Sequence, residues 1–145
     1  MRTIFVFAFF ALLGQQVMLS QNNPIKIIKE EQGIQIFARE IECHDNANGI
    51  HQLFYQLQLV NTTNLHATIS WNIDNWLNGA CVTCDKPKTS ENTYTIELAP
   101  SESIEGNCDK TSPKGLMVYI KQLQNNRSSV LSKFEIVNFK VEFYE

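Results

Sequence analysis

Residues 53–59 read Leu-Phe-Tyr-Gln-Leu-Gln-Leu, and residues 67–73 read Ala-Thr-Ile-Ser-Trp-Asn-Ile. In the first run Leu53, Tyr55, Leu57 and Leu59 share one face, with Gln56 and Gln58 on the other. In the second, Ala67, Ile69, Trp71 and Ile73 share a face opposite Thr68, Ser70 and Asn72. Side chains on a strand alternate between its two sides, so a period of two marks a strand with one oily and one wet side. Between the runs, Asn61-Thr62-Thr63-Asn64 breaks the chain with residues that favour turns. Trp71 sits in the inward register and is read as core. Phe54 faces outward by register, where a second sheet face or a partner strand would cover it.

The same period extends to both sides. Ile34 and Ile36 alternate with Gln35, loosely as far as Ile41, and Asp45-Asn46-Ala47-Asn48-Gly49 supplies a turn. Downstream, Tyr94, Ile96 and Leu98 alternate with Thr95 and Glu97. Ile104–Cys108 reads as a short returning strand. Leu116–Leu123, apolar on both faces, reads as a central strand. Val137, Phe139, Val141 and Phe143 form a last inward face. A long polar stretch, 75–92, separates two of these strands. No stretch after residue 20 has a helical period. About seven strands with regular turn signals predict an all-β fold, a two-sheet immunoglobulin-like β-sandwich over residues 33–145. Residues 21–32 read as a polar lead-in with one edge strand.

The N-terminus has a different character. After Arg2, residues 4–13 are ten consecutive apolar residues, interrupted at Gln15. A bilayer-spanning helix needs about twenty. One positive charge before a short apolar core is the pattern of a cleavable signal peptide, here residues 1–20 with Ser20 as the small residue before the cut. No later segment is apolar enough to span a membrane, so a secreted or periplasmic location is expected. The net charge is −3, and there is no basic run to meet nucleic acid or an anionic membrane.

Cys43, Cys81, Cys84 and Cys108 all follow the export segment. An even number of cysteines in an exported chain predicts disulfides. If successive strands run up and down, all four gather at one end of the sandwich. Cys43 and Cys108 each bonding into the 81–84 loop is the favoured pairing, because it would pin that polar loop. Cys81–Cys84 with Cys43–Cys108 is the alternative. Four thiolates could also hold a structural zinc, but one Cys-x-x-Cys pair plus two single cysteines is a weak pattern. Redox chemistry at Cys81-Val82-Thr83-Cys84 would need a helix N-terminus to lower a thiol pKa, and Asp85-Lys86-Pro87-Lys88 follows instead.

Other chemistry is sparse. His44 adjoins Cys43, but neighbours on a strand point to opposite faces, which sets up a Cys–His pair poorly. Asp74, Glu97 and Glu105 read as surface carboxylates. Asp74-Asn75-Trp76-Leu77-Asn78-Gly79 resembles the start of a calcium loop, yet Trp76 stands where an oxygen ligand is needed. Trp76 is the one aromatic singled out as a candidate ligand contact, a loop residue able to stack on a sugar or anchor a protein, although covering the end of the core beside the cysteines is the favoured reading. Asn61 and Asn126 head N-glycosylation acceptor triplets.

Glu42-Cys43-His44-Asp45, the Trp71–Cys84 segment and Ser103–Cys108 together resemble small exported, uncharacterised β-sandwich proteins of Bacteroidota-type bacteria. The likeness spans roughly residues 33–143. It implies a bacterial exported sandwich and carries over no activity, ligand or catalytic residue. The expectation is therefore a non-enzymatic binding or structural component of the cell envelope or extracellular space, with no cofactor and an unknown protein or glycan partner. The alternatives are a carbohydrate-binding module using Trp76 and, last, a small redox or hydrolytic enzyme.

Overall fold

Two long strands, β3 (Ile50–Asn61) and β4 (His66–Leu77), are the central strands of two different sheets. In the computed structural model, which describes residues 23–89, 92–124 and 127–145, every strand pairing is antiparallel. The segment 1–20, read as an export signal, and Asn126 lie outside the described residues. In the first sheet, β2 (Ile34–Asp45) runs along one side of β3, and β1 (Lys26–Glu31) edges β2. Along the other side of β3 lie β7 (Ser103–Glu105) and β8 (Met117–Gln122), end to end. In the second sheet, β9 (Leu131–Tyr144) follows one side of β4. The other side takes β6 (Tyr94–Leu98) and the short β5 (Ala80–Cys81).

The inner faces meet as the alternation predicts. Ile34 and Ile36 of β2, Leu57 and Leu59 of β3, Ala67, Ile69 and Trp71 of β4, and Leu98 of β6 are essentially removed from solvent. Each large side chain so buried contributes about 1.5–3 kcal/mol. Among the described residues, no helix is long and apolar enough to cross a membrane.

Three expectations are corrected. Among the described residues nine strands form rather than about seven. Among the described residues β8, read as central from its apolar residues on both faces, pairs only with β3. Its inward Val118 and Ile120 reach the core, while outward Tyr119 packs edge-on against Phe54 at 5.8 Å. Val137 does not share a face with Phe139: the β4–β9 register shifts between Ser70 and Asn72, where Asn138 has φ 51°. Before that bulge Phe134 and Ile136 pack on the core; after it Phe139, Val141 and Phe143 do. One extra residue turns the pattern over.

The outer strand β1 joins β2 through Gln32 and Gly33, both at positive φ (52° and 78°), the signature of a two-residue hairpin turn. Its exposed edge is blunted. The pairing shifts between Ile27 and Lys29, and the Lys29 ammonium sits 5.0 Å from the Phe139 ring centre. A bulge and an inward-pointing lysine both discourage edge-to-edge association.

The crossing from β3 to β4 is held by Asn61, which is fully buried. Its amide nitrogen donates to the carbonyls of Leu65 (2.8 Å) and Ala99 (3.0 Å), and its oxygen accepts from Thr63 N (3.0 Å) and Thr63 Oγ1 (2.7 Å). Both donors and both acceptor positions of the side chain are used. A glycan on this nitrogen is incompatible with the folded corner. Asn61→Asp keeps the shape but turns a carboxylate on two carbonyl oxygens. It should cost about 2–4 kcal/mol at neutral pH, seen as a lower urea midpoint at unchanged slope; a cost within experimental error would show that the corner does not depend on this amide.

Candidate functional site

Leu57 makes backbone hydrogen bonds to two points of the chain that faces it across the strand edge. Gly106 N donates to Leu57 O (3.0 Å), and Leu57 N donates to Leu116 O (2.8 Å). Between these points the chain leaves the edge of β3 after β7 and rejoins it at β8. The intervening segment, 107–115, is a loop closed at its base. A Cβ on Gly106 would lie 2.4 Å from Leu116 O, so glycine is required for this close approach. Gln56, buried on the same edge, donates from Nε2 to Gly106 O and accepts from Arg39 Nε. Arg39 in turn reaches Glu105 at 3.5 Å.

The loop is internally bonded: Asp109 N donates to Asn107 Oδ1 (2.8 Å), Asn107 N to Ser112 Oγ (3.0 Å), and Ser112 N to Asp109 O (3.0 Å). Compact loops with joined ends frequently carry function. At one foot, Gly115 (φ 83°) leaves no room for a Cβ beside the Tyr94 ring, which packs 5.8 Å from Trp71. The loop is thus seated on the core. Its other anchor is covalent, a Cys43–Cys108 disulfide with Cα atoms 5.5 Å apart.

A cleft of about 620 Å³ lies between this loop and the outer face of the first sheet. Phe54, Ile50 and Met117 give it apolar surface; Asp109, Lys110 and Lys114 on the loop, and Asp45 at the end of β2, give it charge. The Asp45 carboxyl is held below its ordinary pKa, first by the Asn48 side-chain amide (2.7 Å) and then by the Asn48 backbone N–H (3.2 Å). Asp45 is therefore an anion across the neutral range.

No family model, curated protein or solved structure matches the chain. The cysteines pair otherwise than favoured: Cys43 with Cys108, and Cys81 with Cys84. β2 and β4 end at the same pole, as alternating strands require, but each cystine belongs to its own sheet. Cys43 points outward, and the 107–115 loop comes over that face. Cys81 lies on β5, and the chain curls back at once because Thr83 Oγ1 accepts from Asn75 N (2.8 Å) and donates to Asp74 Oδ1 (3.1 Å). All four sulfurs are bonded, which removes the thiolates that a zinc site needs.

Trp76 is a strand residue, half-buried near the end of β4, rather than a loop residue. It stands opposite Lys133, whose ammonium lies 4.2 Å from its ring centre, and opposite Cys81 on the other side. The stretch read as the start of a calcium loop is the end of β4 plus a tight Asn78-Gly79 turn, both residues at positive φ. Asp74, read as a surface carboxylate, is buried and paired with Lys88. Glu97 and Glu105 are exposed.

The two disulfides close very different spans, 65 and 3 residues. In the chain-entropy model, replacing Cys43 and Cys108 by serine should cost about 4 kcal/mol, against about 1.5 for Cys81 and Cys84. Chemical denaturation of the two double variants checks the order; equal losses would contradict it.

Proposed function

We propose that the chain is exported by its first twenty residues, folds outside the cytoplasm as an immunoglobulin-like sandwich, and acts by binding rather than by catalysis. The observation that carries this reading is the cleft beneath the 107–115 loop. Its volume falls within the range of small-ligand sites, about 300–1,000 Å³. Its apolar floor lies on strands, and its charged lip lies on a loop tied down at both ends. A site held that rigidly loses little ordering entropy when it is filled. The ligand that fits is amphipathic, with an apolar body against Phe54 and Met117 and polar ends reaching Lys110, Lys114 or Asp45.

Amide chemical-shift mapping of the purified, oxidised protein against a set of small amphipathic acids and short peptides tests the reading. Shifts should cluster on residues 43–54 and 107–117, and Phe54→Ser should weaken the best binder by about tenfold, the effect of losing one apolar anchor. Shifts clustered instead around Trp76, or unchanged affinity in Phe54→Ser, would refute the cleft as the contact surface.

A further inference from the structure

His44 and His51 stand opposite one another where β2 and β3 approach the turn at 46–49. Their Nδ1 atoms are 2.8 Å apart, with ring centroids at 5.0 Å and planes inclined by 54°. On the far side of the His44 ring, Nε2 lies 3.2 Å from Glu42 Oε2. A carboxylate can only accept, so neutral His44 carries its proton on Nε2 and presents an Nδ1 lone pair to His51. Without a metal, a proton on His51 Nδ1 fills the contact. If that proton moves to His51 Nε2, two lone pairs converge on one point.

We propose that His44 and His51 form a capture site for a divalent transition-metal ion, with copper(II) bound in preference to zinc(II). Three features support it. Imidazole nitrogen is a ligand for both ions. The contact between His44 and Glu42 is the outer-shell hydrogen bond that fixes the tautomer and orientation of metal-binding histidines. The spacing also fits: with metal–nitrogen bonds of about 2.0 Å, adjacent corners of a square plane lie ~2.8 Å apart and tetrahedral positions ~3.3 Å apart, so both nitrogens reach one ion with little side-chain adjustment. Copper(II) favours the square arrangement and also stands above zinc in intrinsic affinity.

Among the described residues no group of three or more metal-ligating side chains assembles, so water completes the coordination. The site is open to solvent; the backbone ladder holds its two strands together, and the neighbouring Cys43–Cys108 bond ties β2 to the 107–115 loop. The inference is independent of the cleft reading, although His44 lies at the cleft's rim.

The test is titration of the full oxidised chain with copper(II) and, separately, zinc(II), by calorimetry and electron paramagnetic resonance. The expected result is a tetragonal copper spectrum with coupling to two imidazole nitrogens. Affinity should fall about 10-fold or more in His44→Gln and in His51→Gln, and about 10-fold in Glu42→Gln. His66→Gln, which changes the remaining histidine, stacked on Tyr144, should leave binding unchanged. Circular dichroism confirms that each variant folds. Copper binding unaffected by both His44→Gln and His51→Gln would overturn the site, and tighter binding of zinc than of copper would overturn the stated preference.

Discussion

The sandwich turns on one amide. β3 and β4 are the most extensively paired strands of their sheets, and the chain must leave one sheet and enter the other within residues 62–65. Where the chain leaves the ladders its backbone groups lose their strand partners, and the Asn61 side chain, fully buried at the start of an otherwise exposed corner, takes up several of them; a buried amide left without those partners would cost about 1–3 kcal/mol. Asn61 supplies bonds to the Leu65 carbonyl, the Ala99 carbonyl and the Thr63 N–H at once. The bond to Ala99 also fixes the end of β6. With that corner set, the oily faces of β3 and β4 face each other, and Leu57, Leu59, Ile69 and Trp71 close the interior.

The sequence shows the strands wherever one face is buried and the other is wet, because that asymmetry is written as a period of two. It holds for β2, β3, β4 and β6. It fails where the physical cause of the pattern changes. Along β9 the bulge at Asn138 moves the inward set from Phe134 and Ile136 to Phe139, Val141 and Phe143, so an uninterrupted period misplaces Val137. In β8 the outward residues are apolar because Phe54 meets Tyr119, not because another strand follows. Trp76 reads as a loop residue because polar neighbours surround it in sequence, yet the strand runs on to Leu77. The cystine pairing depended on which face a loop crosses, and spacing along the chain carries no such information.

The cleft was less legible still. Its floor consists of outward-register residues such as Phe54, which read individually as surface. Its other wall, 107–115, reads as turn chemistry between two short strands. What joins them is the collinearity of β7 and β8 along a single edge of β3, a relation between residues 103–105, 117–122 and 52–60 that no local pattern states. Cys108 was the one visible sign that this loop is tied to anything.

The two outer faces of the sandwich are treated differently. Over the second sheet, the stretch after Cys84 folds back on β4. Lys88 pairs with Asp74, and the Asn72 amide nitrogen donates to Asn92 O (2.8 Å) and Thr93 Oγ1 (3.0 Å). On its other side, Asn138 donates to the Asn72 oxygen (2.9 Å). That cover lies over the end of the sheet near the Cys81–Cys84 bridge, while Thr95, Glu97, Lys140 and Glu142 farther along the same face are exposed. Over the first sheet the loop is held away from its floor, with apolar side chains beneath and charges above. A domain that used both bridges only for stability would gain little from leaving such a space under the longer one. The contrast between a stretch folded back onto its strand and a loop standing over an open cleft, each beside its own cystine, is what supports the proposal of binding at the first sheet.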